Sequence, residues 1–167
     1  ILRNPLDVVL SLQNHYALSL EEAITRMAQI GIGTATGEGH VPEVHSSWSH
    51  HVESWTGHPN PQLLVLRYED LLAAPEVHFA RTAQFLGITP PRERIDRAIR
   101  FSSFKVLKAQ EDAAGFTERP KGATAAFFRE GRAEQWREQL TPDQVRRIIA
   151  DHRVQMERFN YIPADYA

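Results

Sequence analysis

The stretch LRNPLDVVLSL, residues 2–12, joins an apolar residue, an arginine and a helix start within a few positions. Asn4 is a typical N-cap and Pro5 suits the first helical position, so a helix is predicted from Pro5 to about Leu18. The residues before it are typical of a strand end. Arg3 would then lie beside a helix N-terminus, whose free N–H groups favour anions. The stretch predicts an anion-binding arginine in an α/β fold; an ordinary surface arginine is the alternative.

A second stretch, QLLVLRY at residues 62–68, is a short apolar run between turn residues and two acids. It predicts a buried, parallel strand with Tyr68 at its carboxyl end, where open α/β sheets bind their ligands. A single strand of this kind needs parallel neighbours. We therefore expect the first half of the sheet to be absent from these residues, which would form the C-terminal part of a larger protein.

The remaining chain is predicted to be mostly helical, with two long loops at 31–40 and 111–124. Gly87 should end a helix whose apolar stripe includes Val77, Phe85 and Leu86. The other helical patterns cover residues 20–30, 48–55, 91–100, a segment starting near 103, and a segment starting near 142.

Composition is that of an ordinary globular protein and argues for one domain over residues 1–167. The chain has 42% hydrophobic and 24% charged residues, a formal net charge of −2 and no cysteine. A nucleic-acid partner is not expected from this charge, and thiolate metal sites and disulfides are excluded. No run approaches the ~18 apolar residues of a membrane span. We expect a protein of the cytoplasm without a membrane partner.

Three further motifs carry residues suited to binding a nucleotide. Tyr68 precedes two acids in YEDL, where a buried tyrosine with helix-start acids is the alternative. In FSSFKVLK, two serines and an aromatic ring suit either a base or a helix cap. In FFREGRAEQW, Arg129 stands two residues before Gly131, so that a guanidinium and a backbone N–H can approach one phosphate. A hydrophobic anchor with a surface arginine is the alternative there.

The order of these motifs resembles that of sulfotransferases that use 3′-phosphoadenosine 5′-phosphosulfate (PAPS), the cytosolic type in particular. The family patterns RxPxDVxxS, GSWxxHVxxW, YEDL, TSFxxM and FxRKGxxGDW are met in that order by RNPLDVVLS (3–11), SSWSHHVESW (46–55), YEDL (68–71), SSFKVL (102–107) and FFREGRAEQW (127–136). The resemblance covers nearly the whole chain. It implies a P-loop NTPase-like, three-layer α/β/α fold with a parallel sheet, of which this is the mostly helical C-terminal part.

The resemblance also assigns roles to individual residues. It implies that Arg3, Ser11, Arg129 and Gly131 hold the 3′-phosphate of PAPS or of its product, adenosine 3′,5′-bisphosphate (PAP). Phe128 would lie near the nucleotide. The residues expected around the adenine are Tyr68, Ser102, Ser103 and Phe104.

Several positions depart from the family pattern. Glu130 replaces a lysine beside the phosphate-binding arginine, which removes a cation, and Gln135 replaces an aspartate. Leu107 replaces a methionine of similar volume. Pro142 and Arg146 interrupt the family's dimerisation pattern, so the oligomeric state stays open.

The groups that perform transfer in the family are a phosphosulfate-binding loop with its lysine and a general-base histidine, and both are expected upstream of Ile1. The chain alone should therefore be inactive. His50 and His51 lack a metal-ligand spacing, and no metal site is expected. The function implied is sulfuryl transfer to a hydroxyl or amine of a small organic acceptor. A non-catalytic nucleotide-binding or interaction module and a P-loop kinase are the alternatives.

Overall fold

Helices dominate the computed structural model, which describes residues 1–34, 41–116 and 126–167. The helices are α1 (Pro5–His15), α2 (Leu20–Ala28), α3 (Trp48–Thr56), α4 (Tyr68–Ala73), α5 (Pro75–Phe85), α6 (Arg92–Phe101), α7 (Phe104–Ala114), α8 (Trp136–Gln139) and α9 (Pro142–Arg158), with a final 3₁₀ turn at Ala164–Tyr166. The strands β1 (Gly33–Thr34) and β2 (Glu43–Val44) form an antiparallel pair. The chain divides into a first unit, Ile1–Arg3 with Pro61–Ala133, and a second unit, Asn4–Asn60 with Glu134–Ala167.

Two helices of the second unit, α1 and α9, begin where the sequence marks a cap followed by proline, at Asn4–Pro5 and Thr141–Pro142. The Asn4 side chain accepts the N–H of Leu6 at 3.0 Å, and Pro5 is the first helical residue. Thr141 forms a capping box with Gln144 ahead of α9. Each cap satisfies backbone donors that a helix start leaves open. These two predicted helix starts are confirmed, although α1 ends at His15 rather than near Leu18.

The second unit has an apolar core built from α1, α2, α3 and α9, which pack against one another. Its most deeply buried side chains include Leu6, Val9, Leu10, Ile24, Ile148 and Met156. The spacing of Trp48, Val52 and Trp55 predicts one apolar face for α3; Val52 is buried but Trp55 is 62% exposed, so the core covers this face only in part.

A buried carboxylate ties α1 to the segment before α8. The two oxygens of Asp7 accept the backbone N–H groups of Glu134 at 2.8 Å and Trp136 at 3.1 Å. Hydrogen bonds to an ionised acceptor are stronger than neutral ones. Asp7 is therefore a structural residue of the second unit as well as an acidic residue in the first turn of a helix.

In the first unit, Leu2 and Arg67 form a parallel bridge. The N–H of Leu2 donates to the carbonyl of Leu66, and the N–H of Tyr68 donates to the carbonyl of Leu2, both at 2.7 Å. This bridge agrees with the prediction that both segments belong to a parallel sheet. The predicted strand over 62–68 is wrong in its extent, because residues 63–66 form no further ladder among the described residues.

Helices α4 to α7 of the first unit bury less apolar surface than the sequence predicts. Gly87 follows α5 with φ +69°, as expected of a residue that ends a helix. However, Val77, Phe85 and Leu86 of its predicted apolar stripe are exposed. Periodicity identifies an apolar stripe but not whether another element covers it.

The structure contradicts part of each of the two predicted loops. Within 31–40, β1 pairs with β2, so the loop prediction is wrong for 33–34, and residues 35–40 lie outside the described residues. Within 111–124, α7 continues to Ala114, so the prediction is wrong for 111–114. Residues 117–125 also lie outside the described residues. None of the helices in the described ranges has the length and hydropathy needed to cross a bilayer.

Candidate functional site

Arg3 is held at the end of the bridged segment in the first unit. The parallel bridge between Leu2 and Arg67 brings the following residues, Arg3 and Tyr68, side by side. The Arg3 guanidinium lies over the Tyr68 ring, 4.5 Å from its centroid, which is a cation–π geometry. Its Nη2 donates to the carbonyl oxygen of Arg132 at 3.3 Å. Arg3 is therefore oriented both by an aromatic face and by the segment that contains Arg129 and Gly131.

Arg129 is the second half-buried arginine of this region. Its burial lowers the pKa of its guanidinium; the nearby carboxylate of Glu130 opposes the change, and the positive charge of Arg3 lowers the pKa further. The influence of Arg3 means that two cations from distant parts of the sequence lie within electrostatic range of each other. Like charges at short range repel, and an anion between them would remove that cost. The pair has the charge arrangement of an anion site.

Gly131 has a backbone conformation that favours glycine. Its φ is +63°, in the left-handed region. A Cβ at this position would overlap the ring of Phe104, with only 2.7 Å to the Cβ of that residue. The backbone at Gly131 thus passes directly against the first residue of α7, and any larger residue would push the two apart.

An aromatic cluster surrounds this loop. Phe104 and Phe128 meet edge to face with centroids 6.3 Å apart, and Phe127 stacks on Phe116 at 4.3 Å. Edge-to-face and offset contacts are the favoured arrangements of such rings. The cluster brings together two predicted site residues, Phe104 and Phe128.

The two serines before α7 bind the preceding helix. Ser102 Oγ donates to the carbonyl of Ala98 at 2.8 Å and Ser103 Oγ to that of Arg100 at 2.7 Å. Ser103 occupies the N-cap position of α7 but forms no side-chain capping hydrogen bond. The predicted cap is therefore wrong, and both hydroxyls keep lone pairs that can accept a hydrogen bond.

The remaining predicted residue, Ser11, belongs to the second unit. It is half-buried on α1. The first unit accordingly brings together Arg3, Tyr68, Phe104, Phe128, Arg129 and Gly131, while Ser11 is assigned by its motif position.

Glu111 is a residue of this region that the sequence analysis missed. Its carboxylate is buried in α7 and accepts the backbone N–H groups of Phe127 at 2.6 Å and Phe128 at 2.8 Å. A signal was present in the sequence: Glu111 falls seven residues after Phe104 and four after Leu107, on the apolar face of the helix. A charged residue on such a face indicates a buried partner.

Chemically, the region can hold a compact anion and a flat ring. Two guanidiniums, a glycine backbone and several aromatic faces supply these interactions. Within the described ranges, no group of three or more His, Asp or Glu side chains has the proximity needed for a metal ion.

A comparison with protein families identifies one domain family along nearly the whole chain. The sulfotransferase domain family model matches residues 1–160. Sulfotransferase 1A1 of Canis lupus familiaris is 28% identical over 168 residues, which cover 94% of this chain and 54% of that protein. Cytosolic sulfotransferase 17 of Arabidopsis thaliana is 28% identical over 166 residues, covering 89% of this chain and 46% of that protein. The chain spans about half the length of these curated relatives.

Solved structures show the same fold. The crystal structure of mouse sulfotransferase SULT7A1 complexed with PAP superposes with a TM-score of 0.72 at 23% identity, covering 93% of this chain and 57% of that one. The structure of retinol dehydratase with retinol and PAP gives a TM-score of 0.68 at 24% identity, covering 93% and 46%. The chain has the P-loop-like α/β fold of these proteins.

Proposed function

The chain belongs to the sulfotransferase domain family, and from that premise we propose that the protein containing it transfers a sulfuryl group from PAPS to a hydroxyl or amine of a small organic acceptor. The cofactor is supported by the two solved neighbours that contain PAP, the product of PAPS. A small organic alcohol as acceptor is supported by structures of retinol dehydratase that contain retinol or androsterone. The family model that matches the chain is one of sulfotransferases, so it does not support the P-loop kinase alternative.

The proximity of Arg3 and Arg129 is the observation that carries this proposal. PAPS and PAP differ from common adenine nucleotides in their 3′-phosphate, and a doubly charged group of this kind suits two guanidiniums that lie within electrostatic range of each other. The backbone at Gly131 lies two residues further along the same segment, free of a side chain. Arg3, Arg129 and Gly131 would hold the 3′-phosphate, and Ser11 is included because of its motif position.

The same nucleotide fits the aromatic side of the region. Phe104, Phe128 and Tyr68 offer ring faces and edges for an adenine. The Ser102 and Ser103 hydroxyls, whose protons are already donated to carbonyls, offer acceptor lone pairs to an exocyclic amine. These five residues form our proposed adenine surroundings.

PAPS supplies the activated sulfuryl group when it is bound. Activating the acceptor and neutralising the bridging oxygen require a base and a cation that the family places upstream of the residues matched here. We propose that this chain is the nucleotide-anchoring, C-terminal portion of a single three-layer α/β/α domain. The proposal of a cytoplasmic location is supported by the description of the Arabidopsis relative as cytosolic.

Isothermal titration of the intact protein with PAP tests the assignment. Arg3→Ala combined with Arg129→Ala should weaken PAP binding by at least about 100-fold, because each charge-assisted contact contributes about 1.5–3 kcal/mol. The matched control is Arg94→Ala with Arg97→Ala, which removes two exposed arginines of α6 in the same unit. Equal PAP affinities of the two double variants would contradict the assignment.

A second candidate function is a nucleotide-binding module without turnover. Glu130 favours it, because its carboxylate stands next to Arg129 and is held by Arg132 Nε at 3.0 Å. A carboxylate beside Arg129 opposes the binding of a phosphate by that arginine. Incubation of the intact protein with ³⁵S-labelled PAPS and a panel of phenols, alcohols and amines distinguishes the two: labelled product indicates the enzyme, and PAP binding without product indicates the module.

A further inference from the structure

We propose that Glu111 is a positioning residue that fixes the backbone carrying Arg129 and Gly131 in the geometry required by a 3′-phosphate. This inference rests on the proposed function. It concerns a residue outside all five sequence motifs, whose side chain faces the protein backbone and not the expected ligand.

The contacts of Glu111 fall on the residues directly before Arg129. Its Oε1 accepts the N–H of Phe127 at 2.6 Å and its Oε2 accepts the N–H of Phe128 at 2.8 Å. An ionised carboxylate is an acceptor-only group, and two consecutive amide donors satisfy both of its oxygens. The side chain is buried, so replacing these amides with water is costly. The backbone at 127–128 is thereby held in one position.

Other residues on the same side of α7 hold the following positions of the loop. Lys108 Nζ donates to the carbonyl of Phe128 at 3.3 Å, so that Phe128 is bound at both its N–H and its C=O. The Phe104 ring lies against Gly131, where a Cβ would overlap it. Phe104, Lys108 and Glu111 are spaced by four and three residues and therefore share one face of the helix.

One helix face thus supports the loop at three points, at Phe127, Phe128 and Gly131. Arg129 lies between the second and the third point. A binding group that must match a ligand within about 0.5 Å depends on such support from neighbouring residues. Glu111 is the part of this support that holds two consecutive amides of the loop, those of Phe127 and Phe128, with one carboxylate.

The test compares two nucleotides in wild type and Glu111→Gln. The glutamine is nearly isosteric but has one oxygen acceptor and presents an NH₂ group to a second N–H donor. We expect PAP affinity, measured by isothermal titration of the intact protein, to fall roughly 10- to 100-fold, by analogy with the loss seen when residues that orient metal ligands are removed. Affinity for adenosine 5′-monophosphate, which lacks the 3′-phosphate and keeps, of the contacts proposed for this loop, only that of its adenine with Phe128, should fall much less.

Two further variants separate the position of the Glu111 carboxylate from its charge. Glu93→Gln makes the same chemical change on an exposed site of α6 in the same unit and should leave both affinities unchanged. Glu111→Asp keeps the charge but shortens the side chain by one methylene, so it should also lose preference for PAP. If Glu111→Asp kept the wild-type preference for PAP over adenosine 5′-monophosphate, the charge at position 111 alone would explain that preference. The positioning role would then be overturned.

Hydrogen exchange gives a readout that is independent of nucleotide. The amides of Phe127 and Phe128 should exchange faster in Glu111→Gln than in wild type, while amides of α9 should not change. Unaltered exchange at both positions would overturn the inference.

The outcomes distinguish this inference from the proposed function. If wild type prefers PAP and Glu111→Gln keeps the same preference, the positioning role is wrong and the proposed function stands. If both nucleotides lose affinity in parallel, Glu111 has a general structural role and the inference is overturned. If wild type itself does not prefer PAP over adenosine 5′-monophosphate, the proposed function fails, and the inference fails with it.

Discussion

The second unit owes its order to an apolar core, whereas the candidate site of the first unit is held mainly by polar and aromatic contacts. Side chains such as Leu6, Leu10 and Ile148 are almost completely buried in the second unit. In the first unit, by contrast, Val77 and Leu86 are largely exposed. Burial of apolar surface is the dominant favourable term in folding.

The difference separates two kinds of residue. Core residues of the second unit should control the free energy of unfolding. Loop residues of the first unit, fixed by Glu111 and by ring contacts, should control ligand affinity. Substitutions in the two units should therefore change different measurements, which makes the comparison testable.

The largest effect is expected from Ile148→Ala. Ile148 is fully buried in α9, and removing its side chain leaves a cavity that costs about 2–5 kcal/mol. Val77→Ala, at a position that is 62% exposed in α5, should cost less than about 0.5 kcal/mol. Urea unfolding followed by circular dichroism measures both. Similar losses in the two variants would abolish the proposed contrast between the units.

A smaller, pH-dependent effect is expected from His152, a polar residue within the same core. Its Nδ1 lies 2.9 Å from Ser49 Oγ, its ring meets Trp48 edge to face, and its Nε2 has no hydrogen-bond partner among the described residues. Burial lowers the pKa of His152 from 6.5 to about 4, and the charge of Asp151 opposes this only in part. The folded protein therefore keeps this imidazole neutral.

The sign of the effect follows from proton binding. Between pH 6.5 and about 4 the unfolded chain protonates His152 and the folded chain does not, so stability is fully present above pH 6.5 and falls with pH. The loss should reach about 2–3 kcal/mol near pH 4, at 1.36 kcal/mol per unit. Denaturation measured at pH 7, 5.5 and 4 should show that the free energy of unfolding falls less steeply with decreasing pH in His152→Gln than in wild type, because the glutamine side chain does not titrate. If wild type and His152→Gln lost the same unfolding free energy as the pH fell, His152 would not be the cause of the pH dependence.

Local chemistry made much of the fold predictable. Asn4 with Pro5 and Thr141 with Pro142 mark helix starts because capping needs only neighbouring backbone groups. The sequence also identified residues 2–3 and 62–68 as strand segments, but that they pair, which places Arg3 beside Tyr68, is a contact that only the structure shows. The length of the strand at 62–68 did not follow, because a ladder depends on partner strands elsewhere.

Contacts distant in sequence explain the remaining differences. Asp7 fits a helix's first turn, yet its carboxylate binds amides more than 120 residues away. Glu111 fell within a predicted loop because its neighbours are polar, and its function depends on Phe127 and Phe128. The motif order predicted which residues gather in the first unit; it contained no information on what holds them there.

The smallest effect on stability, and the most local, is expected from Gly131→Ala. Forcing a residue with a Cβ into the left-handed region at φ +63° costs about 1–2 kcal/mol. The added carbon would also overlap the Phe104 ring, so the ring or the loop must shift. A shift at this point moves the backbone next to Arg129, and PAP affinity measured by titration should fall by about 10-fold or more.

Gly87→Ala is the matched control within the same unit. Gly87 has φ +69°, but a Cβ there would meet nothing within 4 Å, so the variant carries the backbone strain without the ring overlap. We expect Gly87→Ala to lose unfolding free energy through backbone strain alone, Gly131→Ala to lose somewhat more because of the ring overlap, and PAP affinity to fall in Gly131→Ala alone. If Gly87→Ala weakened PAP binding equally, general destabilisation of the first unit would explain the result. Affinity and stability would then not be separable, and the contrast between a stabilising unit and a binding unit would have to be abandoned.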